Sequence, residues 1–272
     1  MSKVAIVTGA SSGIGLAFAK RWVARGGRVA LVARTKDKLE DAARELGSKD
    51  GDANAVPFPL DVTNIEALTA LPGRVVDLFG RLDVVVNNAG FNLRGPIDRF
   101  EPAALAQIVT TNLVAPIVLS RAALPKMERG GSIVQVASIA GMVPVPGEAT
   151  YSASKAGLRA FARAMAYDVE DRQIHVGSVC PGPVDTGFLG DLEEVPDIVL
   201  SQPMSTPDEV AEAVLQCIDE RCDEIALPAR SGKLATMAYL APAFAKKIRP
   251  VLEKRGQRNK QLLLAARRRS VS

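Results

Sequence analysis

Val-Ala-Ile-Val-Thr-Gly-Ala-Ser-Ser-Gly-Ile-Gly, residues 4–15, joins a short apolar run to a cluster of glycines. The apolar run at 4–7 has no alternation of polar and apolar residues, which is typical of a strand covered on both faces. A helical pattern follows at 14–25, and glycine is the residue that lets the backbone turn sharply between the two. The stretch therefore predicts a buried strand, a tight turn and a helix.

Further pairs of a short apolar run and a longer helical stretch follow along the chain. Strands are predicted at 28–33, 56–60, 84–86, 132–137, 175–179 and 224–227, and helices at 36–46, 64–79, 102–127, 150–170 and 207–221. Because right-handed crossovers place helices on both faces of a parallel sheet, this alternation predicts an α/β fold with a doubly wound, Rossmann-type parallel sheet of about seven strands. We expect a single domain over residues 1–230, followed by an amphipathic and basic extension over residues 231–272.

The distribution of charge separates the end of the chain from the rest. The 272-residue chain has a net charge of +4, yet residues 246–269 hold ten basic residues against one acid, Glu253. The rest of the chain is therefore mildly acidic, which argues against nucleic acid as the main partner. The three cysteines and the single histidine, His175, have no zinc-ligand spacing, and an odd number of cysteines does not suit a disulfide framework. We expect neither a metal site nor disulfide bonds.

The start of the chain and the length of its apolar runs bear on the cellular location of the protein. The first strand pattern begins within a few residues of Met1, which leaves no room for a secretory leader. No uninterrupted apolar run approaches the roughly 18 residues that span a bilayer. Together with the cysteine usage, these observations predict a cytoplasmic location.

The glycine-rich loop after the first strand predicts a phosphate-binding turn. Its backbone can approach a pyrophosphate closely because glycine has no side chain, and the N–H groups of the first helical turn face the phosphates. The residues concerned are Gly9, Ser11, Ser12, Gly13, Ile14 and Gly15. The spacing differs from Gly-x-Gly-x-x-Gly, and an ordinary tight turn is the alternative interpretation.

The end of the second strand bears on the choice between the two nicotinamide dinucleotides. An acidic residue there would accept hydrogen bonds from the ribose 2′-hydroxyl of NAD, but Ala33 stands at that place. The next residue, Arg34, carries a planar cation that suits a 2′-phosphate. We therefore expect NADP(H) as the preferred cofactor and NAD(H) as the alternative. A solvated arginine is the other interpretation of Arg34.

Tyr151 and Lys155 stand four residues apart in the helical stretch 150–170, so their side chains share one helix face. A tyrosine with a pKa of about 10 is a poor acid–base group at neutral pH until a neighbouring ammonium favours the phenolate. Lys155 would supply that charge. Such pairs also occur on solvated helix faces, but this one follows Ser138 by thirteen residues, and Ser138 itself comes directly after an apolar strand.

Together these motifs resemble the signature of the short-chain dehydrogenase/reductase family in its NADP-preferring form. The matching sequences are Thr-Gly-x-x-x-Gly-Ile-Gly at 8–15, Asn-Asn-Ala-Gly at 87–90 and Tyr-x-x-x-Lys at 151–155, and the resemblance covers about residues 3 to 187. It implies an oxidoreductase that moves a hydride between nicotinamide and a carbonyl or secondary alcohol.

The resemblance also implies roles for individual residues. Tyr151 would donate the proton in reduction, Lys155 would lower its pKa and hold the nicotinamide ribose, and Ser138 would hydrogen-bond the substrate oxygen. Asn112 matches an asparagine that supports a water-linked proton relay, although a polar residue can also distort a helix through its side chain. Besides the glycine loop and Arg34, the residues expected to contact the cofactor are Asp61, Val62, Asn88, Ala89, Gly90, Tyr151, Lys155, Pro181, Gly182, Val184 and Thr186.

The substrate side of the pocket is expected to be apolar. The residues that favour this are Met142, Val143, Val145, Phe188 and Leu189. We therefore expect a hydrophobic small-molecule ketone or alcohol as substrate and, from the resemblance, a homodimer or homotetramer. The hypothesis from another class is a non-catalytic NADP(H)-binding sensor or scaffold, against which the intact proton-delivery set weighs.

The C-terminal extension has apolar residues at helical spacing, followed by the basic stretch. They are Leu234, Met237, Leu240, Ala241, Phe244 and Ile248. This pattern predicts peripheral contact between the extension and a membrane of anionic lipid. An oligomer contact and a solvated tail are the rival interpretations, and Pro242 and Pro250 are expected to interrupt any long helix.

Overall fold

A seven-stranded, all-parallel β-sheet forms the centre of the protein. The computed structural model describes residues 2–47 and 54–271, with side chains described as far as residue 266. The strands are β1 (Val4–Thr8), β2 (Arg28–Ala33), β3 (Ala55–Pro59), β4 (Val84–Asn87), β5 (Ser132–Val136), β6 (His175–Pro181) and β7 (Glu224–Leu227). Their order across the sheet is β3-β2-β1-β4-β5-β6-β7. The doubly wound α/β fold expected from the sequence is confirmed.

Helices cover both faces of this sheet. In chain order they are α1 (Gly13–Ala24), α2 (Lys36–Glu45), α3 (Ile65–Phe79), α4 (Pro102–Val109), α5 (Ala115–Ala123), α6 (Ala149–Asp168), α7 (Pro207–Asp219), α8 (Ala229–Leu240) and α9 (Pro242–Val271). On one face, Phe18, Leu39 and Val214 bring α1, α2 and α7 into one apolar cluster with the strands. On the other face, Leu68 and Met165 belong to the matching cluster of α3, α5 and α6. Burial on both faces explains why the strands are continuous apolar runs.

β1 lies where the strand order reverses. Val7 pairs with Leu31 of β2 on one side and with Val86 of β4 on the other. The chain leaves β1 and β4 toward opposite faces of the sheet, so a crevice opens outside their carboxyl ends. The glycine loop and the 87–90 segment border this crevice.

The single helix expected at 102–127 is divided in the structure. α4 and α5 are joined by a wider, π-helical turn at Thr110–Val114. Pro116 has no N–H, and a proline ring crowds the carbonyl group four residues before it, which here is that of Asn112. The wider turn accommodates both the missing N–H and the crowded carbonyl group, and Asn112 is fully buried.

The segment Pro102–Lys126 is long and apolar enough to cross a membrane, judged by length and composition alone. It is not an uninterrupted apolar run, because Gln107 and Asn112 lie within it. In the structure Leu119 and Ala123 are buried in the apolar cluster that α5 shares with α3. The segment is thus part of the helical layer on one face of the sheet.

The C-terminal extension forms two helices, α8 and α9. Pro242 stands at the start of α9 and separates it from α8, as expected. Pro250 lies inside α9, so the expectation that it would interrupt a long helix is wrong. Gly256, Asn259 and Lys260, which lie beyond Pro250, contact the rest of the protein. These contacts stabilise the helix on the far side of the proline, so that α9 continues past it.

Those contacts dock α9 on the loop at 193–201. Gly256 is buried, and a Cβ at this position would overlap the carbonyl oxygen of Asp197. Asn259 Nδ2 donates to the Leu200 carbonyl oxygen at 2.8 Å, and the Lys260 ammonium lies 2.7 Å from the Asp197 carboxylate. The extension therefore packs against the protein here, which is not the behaviour of a solvated tail.

The division of the chain into a domain over residues 1–230 and an extension over residues 231–272 stays a prediction. The side chains of Arg267, Arg268 and Arg269, which contribute to the basic stretch, lie outside the described residues.

We expect two helical glycines to respond in opposite ways to alanine. Gly73 lies in α3 with no atom near its absent side chain, so Gly73→Ala should raise the free energy of unfolding by about 0.5–1 kcal/mol through helix propensity. Gly256→Ala should lower it by about 1–3 kcal/mol, because the methyl group must push α9 away from Asp197. Urea unfolding of both variants and the wild type measures the two changes. An equal rise for both variants would show that α9 is not docked.

Candidate functional site

A large cavity opens at the carboxyl ends of the strands, with a volume of about 1170 Å³. It runs from the glycine loop past the ends of β2, β4 and β5 to α8 and α9. The predicted site residues that line it are Gly9, Ser11, Ser12, Gly13, Ile14, Arg34, Asp61, Val62, Asn88, Ala89, Gly90, Ser138, Tyr151, Lys155, Pro181, Gly182, Val184 and Thr186. Gly15 and Asn112 stand behind this lining, so the fold brings the other predicted residues to one surface.

The glycine loop is shaped by its close approach to the end of β4. Gly9 has a φ of +67°, a left-handed conformation that favours glycine, and a Cβ there would lie 2.9 Å from Asn88 Nδ2. A Cβ on Gly15 would overlap the Gly9 carbonyl oxygen. Gly15 therefore lets α1 pack against the loop, and its expected contact with the cofactor stays a prediction.

Side-chain hydrogen bonds from Thr8 and Asn88 fix this approach. Thr8 Oγ1 accepts from the backbone N–H groups of Asn88 and Ala89, each at 3.0 Å. Asn88 Nδ2 donates to the Thr8 carbonyl oxygen at 2.9 Å. The Asn88 side chain thus holds the glycine loop in place.

A nicotinamide dinucleotide fits the cleft that these elements form. Gly9 and Gly13 line the cleft with φ values of +67° and +54°, so the loop presents backbone and no side chain to a pyrophosphate there. α1 begins at Gly13, and the side chain of its capping residue, Ser12, makes no hydrogen bond to the helix end. The first N–H groups of α1 are therefore available to phosphate oxygens.

Arg34 and Asp61 lie together at the ends of β2 and β3. Asp61 Oδ1 accepts from Thr63 N at 2.9 Å and from Thr63 Oγ1 at 2.8 Å. The backbone N–H of Thr63 lowers the pKa of Asp61, and the charge of Arg34 adds a smaller effect in the same direction. Arg34 is exposed and lines the cavity, so its guanidinium can reach a 2′-phosphate.

Ser138 and Tyr151 meet in the buried middle of the cavity. Ser138 follows the end of β5, and Tyr151 lies in the first turn of α6, so the sheet and the helix each supply one hydroxyl group. Ser138 Oγ accepts from Ala140 N at 3.1 Å and donates to the Pro181 carbonyl oxygen at 3.4 Å. Each of the two side chains belongs to a residue that is only 8% exposed.

The pKa of Tyr151 differs from the expectation based on its spacing from Lys155. Burial raises this pKa, the nearby Glu148 carboxylate raises it further, and a hydrogen bond with Ser138 opposes the rise. Lys155 Nζ lies 5.9 Å from the centre of the Tyr151 ring and donates to the Val136 carbonyl oxygen at 2.8 Å. Burial also lowers the pKa of Lys155 to about 8.

Asn112 is buried behind Gly90. Its Oδ1 accepts from Phe91 N at 3.0 Å, and its Nδ2 donates to the Phe91 carbonyl oxygen at 2.9 Å and to Ser154 Oγ at 3.3 Å. The helix is distorted at this residue, as the alternative interpretation proposed. The side chain, however, bonds to the segment after β4 and to α6.

Arg94 and Glu148 form a buried ion pair that was not expected from the sequence. Arg94 Nε lies 2.8 Å from Glu148 Oε1, and the two side chains are 10% and 4% exposed. The two residues are 54 positions apart in the chain, and no spacing rule links positions so far apart. No local pattern in the sequence therefore pointed to this pair.

This ion pair fixes the loop that covers Tyr151. Arg94 Nη1 donates to the Leu189 carbonyl oxygen at 2.9 Å, and the guanidinium lies over the Phe188 ring, 5.7 Å from its centre. The centre of the Phe188 ring is in turn 5.9 Å from that of Tyr151. Arg94 therefore connects Glu148 with the aromatic side chain beside Tyr151.

α8 and α9 form the outer wall of the cavity at its Ser138 end. The residues that they contribute include Leu234, Ala238, Ala245, Ile248 and Leu252. Of the apolar residues expected to meet lipid, Leu234 and Ile248 thus line the cavity, whereas Met237, Leu240 and Phe244 are exposed. Lipid contact by the extension stays a prediction.

We expect Arg94→Leu to lower the free energy of unfolding by about 3 kcal/mol at pH 8, because it leaves the Glu148 carboxylate buried without its cation. Burial raises the pKa of Glu148, so the folded protein binds this proton more tightly than the unfolded chain does. The stability of the variant should therefore improve relative to wild type as the pH falls to 5. Chemical denaturation at the two pH values measures both effects.

Arg99→Leu is the control for this experiment. Arg99 pairs with Glu194 at the surface, where the side chains are 60% and 51% exposed, so its loss should cost less than about 1 kcal/mol at either pH. Equal losses for Arg94→Leu and Arg99→Leu would contradict a buried role for the Arg94–Glu148 pair.

Known proteins resemble this chain in both sequence and structure. The short chain dehydrogenase family model matches residues 3–196. Ketoacyl reductase HetN of Nostoc sp. is 36% identical over 230 residues, which cover 82% of this chain and 77% of that protein. The 3-oxoacyl-(acyl-carrier-protein) reductase FabG of Vibrio cholerae is 36% identical over 219 residues, which cover 78% of this chain and 88% of that protein.

A solved structure of a short chain dehydrogenase is also similar to this chain in fold. The short chain dehydrogenase of Burkholderia cenocepacia, in complex with NADP, has a TM-score of 0.75 and 30% identity over 82% of this chain and 95% of that one. The family match includes the glycine loop, Ser138, Tyr151 and Lys155, which line the cavity. The chain belongs to the short-chain dehydrogenase/reductase family of NAD(P)-dependent oxidoreductases.

Proposed function

We propose that this protein is an NADP(H)-dependent reductase or dehydrogenase that moves a hydride between nicotinamide and a carbonyl carbon or secondary alcohol. The observation that carries the proposal is that Ser138, Tyr151 and Lys155 share one cavity with the dinucleotide cleft. A carbonyl that receives a hydride also needs a proton, and a buried hydroxyl beside it supplies one. A protein that only binds the dinucleotide has no use for such a set.

In the reductive direction, Tyr151 donates the proton to the substrate oxygen. A tyrosine hydroxyl is protonated at neutral pH, as a proton donor requires. Ser138 hydrogen-bonds the same oxygen and orients the carbonyl. NADPH, when bound, supplies the hydride.

Lys155 holds the nicotinamide ribose and returns the proton to Tyr151. With a pKa of about 8, its side chain is largely an ammonium at neutral pH and still gives up a proton readily. A water-linked relay through Asn112 uses the backbone of this residue. Its side chain is occupied by Phe91 and Ser154, and Pro116 has no N–H to offer to the Asn112 carbonyl oxygen, which is therefore the group proposed to accept from a relay water.

The substrate is a hydrophobic oxo compound or secondary alcohol. The apolar lining beyond Tyr151 supports this, and it includes Val143, Val145, Phe188, Leu189 and Leu234. The names of two similar proteins, a ketoacyl reductase and a 3-oxoacyl reductase, also favour a ketone attached to an apolar chain.

The protein works in the cytoplasm as a homodimer or homotetramer. Val114 is 38% exposed just before α5, and a second copy would cover such an apolar side chain. Contact with anionic lipid through the extension is a separate possibility that flotation on vesicles tests.

Tyr151→Phe should lower kcat/KM for ketone reduction by about 10²–10⁴-fold, because it removes the proton donor. The Kd of NADPH should stay within about twofold of wild type, since the ring remains. NADPH oxidation over a panel of ketones, aldehydes, steroids and acyl thioesters measures kcat/KM, and fluorescence titration measures the Kd of NADPH. Tyr167→Phe removes an exposed hydroxyl from the same helix and should change neither quantity.

Two outcomes would contradict this proposal. Undiminished turnover by Tyr151→Phe would remove the assigned proton donor. Tight NADPH binding by the wild type without turnover of any compound in the panel would favour the non-catalytic sensor or scaffold.

Arg34→Ala should raise the Kd of NADPH about 10–100-fold, because it removes a charge-assisted hydrogen bond worth roughly 1.5–3 kcal/mol. The Kd of NADH, which has no 2′-phosphate, should not change. Lys36→Ala is the control, because Lys36 is exposed nearby but does not line the cavity. An equal rise for both dinucleotides in Arg34→Ala would overturn the assignment of Arg34 to the 2′-phosphate.

A further inference from the structure

We propose that α8 and α9 hold an extended anionic group, such as one with several phosphates, at the end of the substrate that lies away from the carbonyl. The side chains that hold it are Arg230, Lys246 and Arg255, here called the cationic rim. The substrate is then an apolar oxo compound whose other end bears phosphate. The inference rests on the proposed function, because the rim borders the cavity in which Tyr151 acts.

The cationic rim belongs to the substrate end of the cavity. In α8, Gly232 packs against Ala226, and Ala235 shares an apolar cluster with Ile139 and Met142, which follow Ser138 in the chain. α8 therefore lies next to Ser138, whereas Arg34 and the glycine loop lie beside β1 and β2. A ligand that meets the rim is for this reason the substrate and not the dinucleotide's adenosine.

The face of α9 that borders the cavity is apolar, with charge at its edges. Ala245, Ile248 and Leu252 line the cavity at helical spacing, and Lys246 and Arg255 border it along the same helix. At 1.5 Å per residue, Lys246 and Arg255 are about 14 Å apart along the axis. This layout fits an apolar chain that lies along α9 and leads to an extended anionic group.

The charges of the cationic rim have no ion-pair partner among the described residues. Arg249, which also lines the cavity, is paired with Glu253 at 2.6 Å. Among the ion pairs of residues 2–47 and 54–266, none includes Arg230, Lys246 or Arg255.

The acids of the cavity do not cancel these charges either. The acidic residues that line it are Asp61, at the far end beside Arg34, and Glu148, which is paired with Arg94. The substrate end therefore carries uncompensated positive charge, which attracts an anion and raises its local concentration.

The docking of α9 keeps this charge in position. Gly256 lies against Asp197, and Asn259 and Lys260 bond to the 193–200 loop on the next turn. Arg255 is therefore adjacent to the most closely packed point of the helix. The backbone that carries Arg255 is thus held in place, so less freedom is lost on binding than for a cation on a mobile tail.

Two thioesters with the same acyl group test the inference. Acetoacetyl-coenzyme A carries phosphates, whereas acetoacetyl-N-acetylcysteamine is uncharged. We expect the wild type, saturated with NADP⁺ so that no reduction occurs, to bind the coenzyme A thioester at least tenfold more tightly. The preference should shrink severalfold in 0.5 M NaCl, because exposed ion pairs are screened by salt.

The double variant Lys246→Gln with Arg255→Gln should weaken binding of the coenzyme A thioester about tenfold, with each cation contributing about three- to fivefold. Its affinity for the N-acetylcysteamine thioester should not change. The matched control is Lys247→Gln with Lys254→Gln, which removes two exposed lysines of the same helix that do not line the cavity. The control should bind both thioesters as the wild type does.

Three results would overturn the inference: equal affinity of the wild type for both thioesters, an equal loss for both in the rim variant, or the same loss in the control. Vesicles of phosphatidylglycerol provide a further arm. Flotation of the wild type but not of the rim variant, without any thioester preference, would assign the rim to a membrane surface instead. If any of these results overturns the inference but Tyr151→Phe still abolishes reduction of uncharged ketones, the proposed function stands without the cationic rim.

Discussion

The packing of Thr8 and Gly9 against Asn88 and Ala89 is the constraint on which the rest of the site depends. These residues are neighbours because β1 lies between β2 and β4, where the strand order reverses. Any side chain at Gly9 would meet Asn88, so the crevice exists in this form only with glycine there. The hydrogen bonds of Thr8 and Asn88 then keep the first turn of α1 open toward the cleft.

The same constraint reaches the residues assigned to proton transfer. Gly90 comes two residues after Asn88, and a Cβ on it would lie 3.1 Å from Asn112 Oδ1 and 3.6 Å from Lys155 Nζ. The glycine loop therefore lies on one side of the segment after β4, and Asn112 and Lys155 lie on its other side. A change in its position would alter the cofactor cleft and the surroundings of Lys155 together.

The outer half of the cavity has a different physical basis. Buried charge at Arg94 and Glu148 fixes the loop beside Tyr151, and burying an ion pair is favourable only when further hydrogen bonds satisfy it, as the Leu189 carbonyl does here. The wall formed by α8 and α9 depends on close packing at Gly256. The inner half of the cavity thus depends on close backbone packing after β1 and β4, and the outer half on a buried ion pair and a docked helix.

The sequence by itself determined the strands, the glycine loop and the shared helix face of Tyr151 and Lys155, because periodicity and spacing within a strand, a turn or a helix are local properties. The parallel arrangement followed from the alternation of strands and helices, and the grouping of Ser138 with Tyr151 and Lys155 from the family resemblance. Only the tertiary structure decided that Gly15 supports the loop, that α9 continues through Pro250, that Arg94 meets Glu148 and that Lys155 bonds to Val136. Each of these depends on contacts between segments far apart in the chain. Burial also set the pKa values of Tyr151 and Lys155, since the loss of water around a charge is a property of the packed protein and not of the spacing between two residues.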